Sequence, residues 1–117
     1  MRKIFYLKSC STCIRILKEW NAPESVSLQN IKSEPLTENQ IEELKSLSGS
    51  YEALFSRRST LYKTLNLKEK NLTETDYKYY LLDHYTVLKR PVLVLDDKIF
   101  IGNQKEVVAE AKKALHE

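Results

Sequence analysis

The sequence predicts an α/β fold: a mixed four-stranded sheet built from a βαβ unit and a ββα unit, with an all-helical insertion between the two halves. Three observations predict it. The chain opens on a short apolar run, Ile4 to Leu7, followed by a helical pattern and a second strand pattern. It closes on a solidly apolar run, Val92 to Leu95, then a turn, a short second strand and a last helix. Between these halves, residues 37–85 carry helical signals only. At 117 residues, this is expected to be one domain, 1–117, with a modest core.

Each element has a local reason. Lys3-Ile4-Phe5-Tyr6-Leu7 reads as the first strand and Ser11 to Trp20 as the first helix, with Cys13, Leu17 and Trp20 on one face and Ile14 and Ile16 beside it. Asn21-Ala22-Pro23 ends that helix. Val26 to Ile31 alternates as a second strand, and Ser33-Glu34-Pro35 is a turn. Thr37-x-x-Gln40 is a capping box ahead of the stripe Ile41, Leu44, Leu47. Ser48-Gly49-Ser50 breaks this helix, and Tyr51 to about Leu65 gives one or two short helices with Leu54, Phe55, Leu61, Tyr62 and Leu65 apolar. Thr73-x-x-Asp76 caps a helix to about Tyr85, where Tyr77, Leu81 and Tyr85 share a core face. Pro91 stands at the start of the next strand, where a missing N–H is tolerated. Asp96-Asp97 turns the chain into Lys98 to Ile101, Gly102 ends that strand, and Asn103-x-x-Glu106 is the expected cap of a last helix lined by Val107, Ala111 and Leu115. This order is that of a thioredoxin-like fold with a helical insertion.

Composition sets outer bounds. The apolar fraction is 42% and the charged fraction 30%, ordinary for a soluble protein. No apolar run approaches the ~18 residues of a membrane span, and Ile4 to Leu7 is too short for a signal-peptide core. A cytoplasmic location is expected, without membrane or direct nucleic-acid partners. The net charge of +3 is uneven: residues 1–20 carry five basic side chains against Glu19. Positive potential near the first strand would favour a thiolate and suit a small anion or glutathione.

Both cysteines of the chain, Cys10 and Cys13, fall at the junction of the first strand and first helix. The thiolate is the reactive form of cysteine, and a helix N-terminus stabilises it with free N–H groups. Cys10 is placed to attack, and Cys13, one turn on, to resolve a mixed disulfide at Cys10. Ser11 and Thr12 between them are small and polar. The same spacing is also half of a zinc site, but the remaining ligands would have to come from the isolated His84 and His116, and no metal is expected. Two buried, inert thiols are the other alternative.

The chain resembles the ArsC/Spx family of arsenate reductases, Spx regulators and their relatives. The resemblance is carried by Lys8-Ser9-Cys10-Ser11-Thr12-Cys13, by Asn30-Ile31-Lys32-Ser33-Glu34-Pro35-Leu36, by Tyr51-Glu52-Ala53-Leu54-Phe55-Ser56-Arg57-Arg58 and by Leu88-Lys89-Arg90-Pro91-Val92. It covers almost the whole chain. It implies a thioredoxin-like fold with a helical insertion and a cis bond before Pro91, which would set Arg90 and the nearby backbone beside Cys10. In the family's reductases a cysteine attacks arsenate while arginines hold the oxyanion. Cys10 matches the nucleophile and Arg90 the arginine before the proline. An arginine of the insertion matches Arg57 or Arg58, with Arg58 favoured by its spacing to Tyr62 and Leu65. Arginine suits this role because its planar fork of donors stays charged.

Two departures stand out. Where the family's arsenate reductases place a further arginine, this chain has Gly102-Asn103. Those reductases also usually lack the second cysteine, and Cys13 instead resembles the cysteine pair of Spx. Spx proteins carry a tail after the last helix, which a sequence ending at Glu117 is expected to lack. The resemblance therefore implies a thiol-dependent reductase acting on a small oxyanion or a disulfide. Cys10, Cys13, Arg58 and Arg90 would be its catalytic set, and Ser11, Thr12, Arg57 and Pro91 would line the substrate. No cofactor is implied beyond glutathione or another thiol reductant, with glutaredoxin or thioredoxin as protein partner. The alternative is a redox-sensing regulator that binds RNA polymerase.

Overall fold

A computed structural model describes residues 1–117, which divide into two compact units: residues 1–34 with 90–117, and residues 35–89. The first unit holds the whole sheet. Strands β1 (Arg2–Tyr6), β2 (Ser27–Asn30), β3 (Val92–Leu95) and β4 (Lys98–Ile101) lie in the order β2-β1-β3-β4. β1 runs parallel to β2, with Ile4 opposite Leu28, and antiparallel to β3, with Ile4 opposite Leu93. β3 and β4 form the expected hairpin.

Helices α1 (Ser11–Trp20) and α5 (Lys105–Leu115) belong to this unit. One core joins Ile4, Leu93 and Leu95 of the sheet to Ile16 and Trp20 of α1 and Val108, Ala111 and Leu115 of α5. The Trp20 indole N–H is buried but satisfied, donating to the Val108 carbonyl at 3.0 Å. The His116 Nε2 reaches the Trp20 carbonyl at 2.6 Å. The far end of α1 is therefore anchored to α5. Phe5, Val92 and Val94 are fully buried from the alternate positions of their strands.

The unit of residues 35–89 contains α2 (Glu38–Ser48), α3 (Thr60–Thr64), α4 (Glu74–Asp83) and three single turns of 3-10 helix. Thr37 and Gln40 form the predicted capping box, and Thr73 and Asp76 form the second. Gly49 ends α2 at φ +94°, a left-handed conformation that suits glycine. Phe55 packs edge-on against Tyr77, with ring centroids 5.0 Å apart, and against Tyr62 at 6.1 Å. An isolated bridge between Phe55 and Leu88 ties the last residues of this unit to the segment after its first 3-10 turn.

Several local expectations need correction. The buried stripe of α1 is Cys13, Ile16 and Trp20, and Leu17 lies at its margin. In β2 the alternation does not follow hydropathy: Leu28 is 55% exposed, whereas Gln29 is buried. β2 is an edge strand, so one of its apolar side chains can stand in solvent while Gln29 is satisfied by Lys3 and the Glu34 carbonyl. α4 stops at Asp83, and Tyr85 falls in a separate 3-10 turn. α5 is capped at Gln104 without a side-chain bond, not at Asn103, and its buried stripe is Val108, Ala111, Leu115 rather than one starting at Val107.

Candidate functional site

β1 delivers the chain into a tight turn. The Leu7 carbonyl accepts the Cys10 N–H at 3.0 Å, and the Cys10 carbonyl then accepts the first helical bond from Ile14 at 3.1 Å. Cys10 is thus the N-cap of α1, with extended backbone (φ −94°, ψ 111°). Its sulfur stands beside the N–H of Cys13, at the third helical position, though without a full capping hydrogen bond. Cys10 is partly exposed, and Cys13 is completely buried in the core face of α1. Both thiols are free. Ser11 is exposed and Thr12 half-buried on the outer side of the first turn.

The Arg90–Pro91 bond is cis, and the Pro91 carbonyl accepts the Gly102 N–H at 2.9 Å. Arg90 reaches the Cys10 sulfur from there. Partial burial by itself would raise the Cys10 pKa. The Cys13 backbone N–H, the Cys13 thiol and the Arg90 guanidinium outweigh that effect and lower it from the ordinary 9.0. The other thiol goes the opposite way. Burial pushes Cys13 up to about 11, and the neighbouring Cys10 thiolate pushes in the same direction against a favourable contact with the Leu7 N–H. The two thiols are therefore shifted in opposite directions, Cys10 toward the thiolate and Cys13 toward the protonated form. When Cys10 is consumed in a covalent bond its charge disappears, and with it part of what keeps Cys13 protonated.

The structure brings Cys10, Cys13, Arg90 and Pro91 together at one end of the sheet. The cations of the N-terminal segment are less free than the charge count suggests. Arg2 is paired with Asp96 at 3.1 Å, and Lys3 donates to Gln29 at 3.1 Å, so the cation acting on Cys10 is Arg90. Arg57 and Arg58 belong to the unit of residues 35–89. Arg57 is engaged there by the Glu52 carboxylate and by the Tyr77 hydroxyl at 3.2 Å. Arg58 is exposed, and its backbone N–H donates to the Ser56 hydroxyl. No group of three or more His, Cys, Asp or Glu side chains converges in a metal-binding arrangement. His116 is bound to the Trp20 carbonyl, and His84 sits 2.9 Å from Asp83.

One partner of the site was missing from the sequence reading. The Asn30 side-chain oxygen accepts the Lys8 N–H inside the cysteine turn at 3.2 Å. The segment beginning at Asn30 stood out by its resemblance, but nothing in its spacing pointed to the turn.

A strand feeding a cysteine into a helix N-terminus, beside a cis-proline strand carrying an arginine, defines a thiol site on a thioredoxin-like fold. The chain belongs to the ArsC family, whose model matches residues 5–111. A global transcriptional regulator Spx from Staphylococcus epidermidis is 30% identical over 111 residues, covering 92% of this chain and 84% of the regulator. An uncharacterized protein from Haemophilus influenzae is 30% identical over 113 residues, covering 93% of this chain and 97% of that protein. An arsenate reductase from Vibrio cholerae matches in structure with a TM-score of 0.76 at 19% identity, over 94% of this chain and 96% of that one, a likeness of fold. No helix is long and apolar enough to cross a membrane.

Proposed function

We propose that this protein is a thiol-dependent reductase of the cytoplasm whose nucleophile is Cys10. The observation that carries the reading is the opposed state of the two thiols: Cys10 is lowered by the Cys13 N–H and Arg90, and Cys13 is held protonated by burial. The Cys10 thiolate attacks an electrophilic centre, and Arg90 stabilises the negative charge that develops there. On a disulfide substrate, the Cys10 sulfur bonds to one substrate sulfur and the other leaves as a thiolate that takes up a proton. Cys13 then loses its proton, attacks Cys10 and expels the second substrate thiol. The resulting Cys10–Cys13 disulfide holds the two electrons' worth of oxidation and is reduced by an external thiol such as glutathione, glutaredoxin or thioredoxin.

On an oxyanion such as arsenate, Cys10 displaces an oxygen, which leaves as water after protonation. A second thiol then attacks Cys10, forming a disulfide and releasing the two-electron-reduced oxyanion. Ser11, Thr12 and the Pro91 backbone would line the substrate beside Arg90. No metal or organic cofactor enters either route.

The test is turnover of arsenate and of small disulfides, with NADPH oxidation coupled through glutathione/glutaredoxin and through thioredoxin in parallel. Activity lost in Cys10→Ser supports the reading, and the absence of turnover with every substrate and reductant counts against it. A second reading is favoured by the Spx relatives, which match 92% of this chain at 27–30% identity. In it the cysteine pair is a redox switch and the partner is RNA polymerase. Polymerase binding in one redox state only, without turnover, would select it.

A further inference from the structure

The turn carrying Cys10 is closed by the Leu7 carbonyl and the Cys10 N–H, which leaves the N–H groups of its two central residues, Lys8 and Ser9, without a partner inside the turn. For Lys8 a partner is needed from elsewhere in the fold. Asn30, the last residue of β2, fills that need with its side-chain oxygen at 3.2 Å. Water could solvate an exposed N–H equally well, so the bond matters for position rather than solvation.

Asn30 is itself fixed from several directions. It pairs with Tyr6 in the β1–β2 ladder, and the next residue, Ile31, donates its N–H to the Tyr6 carbonyl at 2.9 Å. The Asn30 carbonyl accepts from the Glu34 N–H at 2.8 Å and from the Ser33 hydroxyl at 3.3 Å. The Glu34 carbonyl accepts from the buried Gln29 amide at 3.0 Å, and Gln29 in turn accepts from Lys3 of β1 at 3.1 Å. A closed set of hydrogen bonds thus runs from β1 through the turn after β2 and back to the loop that follows β1.

We propose that Asn30 is a positioning residue for the Cys10 nucleophile, its side-chain oxygen holding the Lys8 N–H and so fixing where the turn places the Cys10 sulfur. The inference rests on the reading of Cys10 as a reactive thiolate. A thiolate held by the Cys13 N–H, the Cys13 thiol and the Arg90 guanidinium depends on its position to within about half an ångström. Releasing the turn therefore weakens those contacts together.

The test is the pH profile of Cys10 alkylation by iodoacetamide on the full, reduced chain, followed by mass spectrometry, with the unfolding midpoint measured alongside. Asn30→Ala is expected to move the profile to higher pH. Its rate near neutrality should fall about three- to tenfold, the size expected for losing one hydrogen bond, while the limiting rate at high pH stays as in the wild type. Asn30→Asp keeps the acceptor and is expected to restore most of the rate. Lys8→Pro removes the donor at a turn position where proline fits. Measured against Lys8→Gln, which loses the charge alone, it is expected to shift the profile in the same direction and to add nothing to Asn30→Ala. If Asn30→Ala does not fold, the Lys8→Pro and Lys8→Gln comparison decides. A wild-type profile in Asn30→Ala, or a purely additive double variant, overturns the proposal. An ordinary thiol profile in the wild type overturns both the proposal and the reading beneath it.

Discussion

Replacing Cys13 with alanine should remove a specific alkaline weakness of the fold. The buried Cys13 thiol ionises at about 11 in the folded chain, against an ordinary value of 9.0. Below pH 9 it is protonated in both states, and its contribution to stability is fully present. Above pH 9 the unfolded chain releases the proton and the folded chain does not, so stability falls. The fall continues until pH passes about 11, where both states are ionised. A span of this width corresponds to about 3 kcal/mol. Removing the sulfur costs about 1 kcal/mol at pH 7 through lost burial. Wild type is then the more stable protein at pH 7 and the less stable at pH 11. The assay is urea unfolding from pH 7 to 11 under a phosphine reductant, comparing wild type with Cys13→Ala. The difference between the two cancels most of the lysine and tyrosine titrations common to both. Curves that run parallel through this window would refute the assignment of Cys13 as a thiol held protonated by burial.

Other outcomes follow from the same geometry. Arg90→Met removes the cation that acts on Cys10, so the Cys10 pKa rises and alkylation at pH 7 slows relative to wild type. Trp20→Phe deletes the indole N–H that joins α1 to the Val108 carbonyl, which keeps its own bond within α5; a loss of about 1–3 kcal/mol is expected from the missing hydrogen bond and the smaller ring, read by urea unfolding. The same variant should leave the Cys10 alkylation profile unmoved, because Trp20 anchors the far end of α1. Gly49→Ala meets no neighbouring atom, so its cost of about 1 kcal/mol comes from the backbone at φ +94° alone and is read by thermal unfolding.

The elements that announced themselves locally were legible in the sequence. The capping boxes at Thr37 and Thr73 are formed by their own side chains, so spacing alone locates α2 and α4. The run Val92 to Leu95 is buried at every position, as its short length, β-branched residues and flanking Pro91 and Asp96-Asp97 lead one to expect. What stayed hidden depended on tertiary context. Leu28 and Gln29 exchange their expected burial because β2 is an edge and Lys3 and Glu34 satisfy Gln29 from elsewhere in the chain. Ile16 is buried in the core of α1 and Leu17 packs at its margin, a choice that helical spacing from Cys13 and Trp20 allows either way and that the packing against the sheet and α5 decides. The expected roles of Cys10 and Cys13 were legible from their spacing at the helix start, and what was not legible is the complete burial of Cys13, which sets the two thiols' protonation apart.

The most direct test of the central claim is a thiolate titration of the reduced chain by ultraviolet absorbance at about 240 nm, comparing wild type with Cys10→Ser. The account predicts that wild type gains thiolate absorbance at a pH below 9.0 and that this step disappears in Cys10→Ser. A step that persists in Cys10→Ser, or a wild type without thiolate below the ordinary range, would contradict it.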